Sequence, residues 1–150
     1  MDNTEDVSEE HARILADAIN AVPKHVADPG QAWRMLGHST EMLTMLLGIG
    51  RTASFSTHEV EAAYERDNVP EIGHVAHRLV GRLSYLHAKP TVTAAHELER
   101  YCKFTRPCEK ARVAELIAAL RERINELADA MSVFDALPES FFGADTEHTQ

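Results

Sequence analysis

Apolar residues recur along this chain at intervals of three and four, and no stretch alternates apolar and polar positions for more than a few residues. That periodicity predicts helices and no sheet. The plainest case lies toward the C-terminal end. There Val113, Ile117, Leu120, Ile124, Leu127, Met131 and Phe134 step by four and three along one face, an apolar seam sustained for about three heptads. Prolines, glycines and capping residues cut the chain into about six helices. Ser8 caps a first helix that runs to about Ala21 and is stopped by Pro23. After the turn Asp28-Pro29-Gly30, a second runs from about Gln31 to Leu47 and is broken by Gly48-Ile49-Gly50. A short third starts at Ser56 or Thr57 and ends near Asp67-Asn68. The fourth opens at Pro70 and reaches about Ala88, ended by Lys89-Pro90. Thr91 caps a fifth, from about Val92 to Phe104, and Pro107 opens a sixth that continues to about Ala136.

One long seam with several shorter helices and short connections implies an antiparallel bundle. The expected fold class is all-α. A four-helix bundle spans 40–136, a helical extension over 1–39 packs on it, and a flexible tail covers 137–150, where Phe141-Phe142 could fold back on the body. Trp33, Met35 and Leu36 are expected to pack the second helix onto the bundle. A monomer is expected, with the extension the segment that could make a dimer contact instead.

Charge narrows the classes of function. The 150 residues carry 15 Lys+Arg against 24 Asp+Glu, a formal net charge of −9. Such a balance disfavours general nucleic-acid binding, which needs a cationic face to displace counterions, and adhesion to an anionic membrane. No apolar run approaches the roughly 20 residues of a membrane span, and the N-terminus is acidic where a signal peptide would be basic and then apolar. The chain reads as cytoplasmic, and its initial Met and polar tail as those of a stand-alone protein. Cys102 and Cys108 are too few for a disulfide framework and read as reduced thiols at facing ends of a helical hairpin.

The acidity is unevenly spread. From Ile72 to His96 there is no Asp or Glu, while Arg78, Arg82 and Lys89 are present, and four of the nine histidines fall in this interval. Such a stretch would attract a phosphate or an acidic pocket. With Ile72 set at 0° and about 100° per residue, Ile72, Val75, Ala76, Leu79, Leu83 and Leu86 form one apolar stripe. His77 falls at about 140°, Gly81 at about 180° and Ser84 at about 120°, all away from that stripe. A glycine inside a helix costs about 1 kcal/mol relative to alanine. Helical side chains lean toward the N-terminus, so one at position 81 is expected to crowd His77. Glycine there leaves the imidazole clear and lets another protein approach the backbone.

The stretch Ala76-His77-Arg78-Leu79-Val80-Gly81 resembles the A-H-x-L-K-G motif of histidine-containing phosphotransfer domains. The similarity continues through Leu86, Ala88, Ala95 and the pair Leu98-Glu99, and covers roughly Thr40 to Met131. The resemblance implies a four-helix bundle in which His77 is the phospho-acceptor. It also implies a receiver-docking, phosphate-facing surface of His74, Arg78, Val80, Gly81, Arg82, Ser84, Tyr85 and Lys89. The phosphoryl group would come from the aspartyl phosphate of a receiver domain, in a hybrid sensor kinase or a response regulator, and pass to another receiver. The receiver would supply Mg²⁺, so the chain would need no cofactor or metal of its own and would be a phosphocarrier rather than an enzyme. Two positions depart from the motif. The family's lysine, three residues after the histidine, is Val80, which bears on transfer efficiency. A later family glycine is His87, which bears on the helix end.

Two other readings compete. A degenerate module could dock a receiver or kinase without relaying phosphate, and Val80 is its main support. A metal-binding bundle is the other. Glu71-Ile72-Gly73-His74 has the Glu-x-x-His spacing of di-iron bundles, but its near-partner His96-Glu97-Leu98-Glu99 has the reverse order. His74 and His77 could also hold zinc with a third ligand.

Overall fold

A computed structural model describes residues 3–137, and side chains from Glu9 onward. These residues form six α-helices and a closing 3₁₀ segment: α1 (Asn3–Ala21), α2 (Pro29–Met35), α3 (Thr40–Glu65), α4 (Val69–Ser84), α5 (Lys89–Phe104), α6 (Lys110–Met131) and Ser132–Ala136. The fold is the expected all-α antiparallel bundle. Helices α3 to α6 form it, each packing on two others, with α3 against α4 and α6, and α5 against α4 and α6. The apolar stripes predicted for the fourth and sixth helices are both buried: Ile72, Val75, Ala76, Leu79, Leu83 and Leu86 on one side, the seam from Val113 to Phe134 on the other. Leu15, Ala18, Val22, Val26, Ala27 and Ala32 join the same core. The backbone N–H of Asp28 donates to the carbonyl of Leu86 at 2.9 Å, tying the entry of α2 to the end of α4.

Several boundaries differ from the sequence reading. Helix α1 begins at Asn3, before Ser8. The predicted second and third helices are divided in the wrong place. Helix α2 ends at Met35, and the chain turns through Gly37 (φ 84°) and His38 (φ 61°) before Ser39 caps α3 by accepting from the N–H of Met42 at 3.0 Å. Helix α3 then runs unbroken through Gly48-Ile49-Gly50, and Ser56 and Thr57 are buried inside it instead of starting a helix. Gly50 answers to packing: a Cβ there would stand 3.1 Å from the Met131 side chain of α6.

Helix α4 stops at Ser84, short of Ala88. His87 sits at φ 54°, its N–H bonded to the carbonyl of Ser84 and that of Ala88 to the carbonyl of Leu83. This is a left-handed helix terminus of the kind that favours glycine, so the departure at His87 does fall on the helix end. Lys89-Pro90 opens α5 rather than ending α4, with Pro90 in the first turn, and Thr91 lies buried inside the helix. A first-turn proline and a terminating proline look alike in sequence, because the missing N–H is unneeded in both places. The predicted sixth helix begins three residues late, at Lys110, and its last turn is 3₁₀. Trp33 and Leu36 pack on the core, but Met35 is exposed. Cys102 and Cys108 are free, and burial first, then the neighbouring Cys108, pushes the Cys102 thiol up to about 11. The tail predictions, including Phe141-Phe142, lie outside the described residues.

Candidate functional site

Asn68 begins α4 by accepting from the N–H of Glu71 at 3.2 Å, with Pro70 in the first turn. This start fixes the register that buries Ile72, Val75, Ala76 and Leu79 and leaves His74, His77 and Arg78 outside. The His77 side chain is 67% exposed. Its Nδ1 is nonetheless held, 2.6 Å from Oε2 of Glu99 on α5. A carboxylate only accepts hydrogen bonds, so Nδ1 carries a proton, and in the neutral ring the lone pair then lies on Nε2. No hydrogen bond among the described residues engages Nε2.

Glu99 is 8% exposed, and the same oxygen receives Lys103 Nζ at 2.8 Å. Burial pushes the Glu99 carboxyl up, but the hydrogen bonds and charges of Lys103 and His77 together outweigh it and hold the group below its ordinary range. Sequence reasoning named Glu99 only within the motif and did not place it beside His77, and it did not name Lys103. The interval free of acidic residues ends at His96, and Glu99 enters from the next helix. A signal was present: Glu99 borders the buried stripe of Ala95, Leu98 and Cys102, and Lys103 lies four residues on, the spacing of a helical ion pair.

The expected docking residues separate into distinct settings. Arg78 donates to Glu59 Oε2 at 3.1 Å and Arg82 to Thr52 Oγ1 at 2.9 Å, both on α3 and away from the flank holding Glu99. Val80 is half-buried against the core. Ser84 Oγ turns back to the carbonyl of Val80 at 2.6 Å. His74 and Lys89 are exposed, on α4 and at the start of α5. Gly81, Ser84 and Tyr85 meet Ala32, Met35 and Leu36 around an open cleft of about 380 Å³, which His87 also lines. A Cβ at Gly81 would meet nothing within 4 Å. A β-carbon there would thus not reach His77, which the sequence reading expects a side chain to crowd, and the glycine's bare surface faces the open cleft. Met35, Phe55 and Tyr85 are exposed large apolar side chains on α2, α3 and the end of α4. For the metal reading, the described residues contain no group of three or more His, Cys, Asp or Glu able to hold an ion.

The family profile of the Hpt domain matches residues 41–130, the span that includes α4 and α5 with His77, Glu99 and Lys103. The chain belongs to the Hpt domain family. Comparison with curated proteins and with solved structures finds no match. Hpt domains are helical-bundle phosphocarrier modules of phosphorelays that interact with receiver domains. No helix among the described residues of this Hpt domain is long and apolar enough to cross a membrane.

Proposed function

We propose that this Hpt domain relays phosphoryl groups through His77 in the cytoplasm, accepting from the aspartyl phosphate of one receiver domain and donating to another. The observation that carries the reading is an exposed imidazole whose Nδ1–H is fixed by a buried carboxylate while Nε2 stays open. In the forward step the Nε2 lone pair attacks phosphorus. The Nε2–P bond forms, the bond from phosphorus to the aspartyl oxygen breaks, and the partner's carboxylate departs with the electron pair. The ring then carries positive charge, stabilised by Glu99 at Nδ1–H. Donation runs the same path in reverse toward a second aspartate. Mg²⁺ and the acidic pocket belong to the receiver.

The cleft beside Gly81, with the exposed Met35 and Tyr85 lining it, supports a docking face, because contiguous exposed apolar surface marks interaction sites. His74 and the α4 arginines supply its polar and basic border, suited to an acidic partner. Incubation with phosphorylated receivers and Mg²⁺ tests the relay. An acid-labile phosphate is expected on the wild-type chain and not on His77→Gln. No label on either, with several competent receivers, refutes it. Val80 favours a second reading, docking without transfer, which predicts receiver binding with no label.

A further inference from the structure

Val80 leaves α4 without the charge that the motif places one turn after the acceptor histidine. Arg78 and Arg82 do not replace it, since both are engaged on the α3 side. The cation beside His77 comes from α5 instead. Lys103 Nζ and His77 Nδ1 approach one and the same oxygen, Glu99 Oε2, at 2.8 and 2.6 Å. Ammonium and imidazole thus face each other across a single atom. The lysine stem also packs along α4. Gly73, buried one turn before His77, packs beside the Lys103 stem, close enough that a Cβ there would be in ordinary contact, 3.5 Å from Lys103 Cγ and 3.7 Å from Cε.

We propose that Lys103 is a positioning residue for phosphoryl transfer, supplying from α5 the positive charge that Val80 omits from α4. This rests on His77 being the acceptor. A bare Glu99 carboxylate would act on His77 in two adverse ways. It would favour a second proton on the ring, at Nε2, removing the attacking lone pair. It would also repel an incoming phosphoryl group. Lys103 offsets that charge and still leaves Oε2 to accept from Nδ1–H. Of the charged or titratable neighbours, His74 precedes His77 by three residues on the same helix, Arg78 follows it and is engaged by Glu59 on α3, and only Glu99 is bonded to the ring among the described residues. Balance at the site therefore falls to the pair on α5.

The test uses the full chain and potassium phosphoramidate, a small donor that needs no receiver. Nε2 attacks phosphorus, the P–N bond breaks and ammonia leaves. Phosphohistidine formation is followed by ³¹P NMR across pH. Lys103→Met is expected to slow labelling about tenfold, the effect of a unit charge about 6 Å away at an effective dielectric of about 40. The acid limb of its rate–pH profile should move to higher pH. Lys103→Arg should stay near wild type, and Val80→Lys added to Lys103→Met should restore most of the rate. A purely structural lysine would give neither the shifted limb nor the rescue from α4. Unchanged labelling and pH profile in Lys103→Met, or a double variant as slow as Lys103→Met, overturns the proposal. If phosphoramidate gives the expected pattern but receivers never label the wild type, the relay reading fails and the role of Lys103 stands. If receivers label His77 but phosphoramidate labelling shows no dependence on Lys103, the relay reading stands and the role of Lys103 fails.

Discussion

Replacing Gly81 with alanine should move stability and function in opposite directions. Glycine in a helix interior costs about 1 kcal/mol relative to alanine through backbone entropy. That gain is normally reduced by whatever the new methyl group strikes. At Gly81 it would strike nothing, because no atom beyond the chain neighbours and the backbone of its own helix lies within 4 Å of the added Cβ. The full gain of about 1 kcal/mol is therefore expected, raising Tm by about 3 °C for a domain of this size. Position 81 also borders the cleft formed with Met35, Leu36 and Tyr85, where a receiver would press closest. Receiver-dependent labelling should fall in Gly81→Ala and further in Gly81→Leu, while labelling by phosphoramidate stays near wild type. Thermal melts and two parallel labelling assays measure all three quantities. A loss of stability in Gly81→Ala would refute the open geometry. A stabilised variant with unchanged receiver transfer would refute the view that the bare helix face serves an approaching protein.

Further expectations concern the elements around the site. Glu99 has a depressed carboxyl pKa in the fold, so its contribution to stability is full above the unfolded value near 4.5 and is lost as pH falls through the folded one. Urea unfolding between pH 7 and 3 should accordingly show a shallower acid loss for Glu99→Gln than for wild type. An equal loss would mean that the carboxylate is not engaged by His77 and Lys103. His87→Gly should raise stability by about 0.5–1 kcal/mol, since it relieves a left-handed backbone at a cost in unfolded-chain entropy, and denaturant melts check this. Met35→Glu, at an exposed position on the cleft, should weaken labelling by a receiver and leave phosphoramidate labelling intact. Equal receiver labelling would remove α2 from the docking face.

The sequence alone determined the class of the fold and the faces of its helices. A period of three and four is local geometry, so the stripes on α4 and α6 and the outward position of His77 follow from residue spacing. The uneven charge and the motif around His77 are likewise written along the chain. Boundaries were harder, because one residue type serves opposite ends of a helix. Pro90 begins α5, and Gly48 and Gly50 lie within α3. His38, Asp67 and His87 take the left-handed turns where glycine would have announced a stop. Tertiary structure decided what surrounds the histidine. Glu99 reaches it across the α4–α5 interface with Lys103 on the same carboxylate oxygen, and the α4 arginines are drawn instead to α3. Spacing along one helix says which way a side chain leaves the axis, but only the packing of a second helix decides which charge it meets.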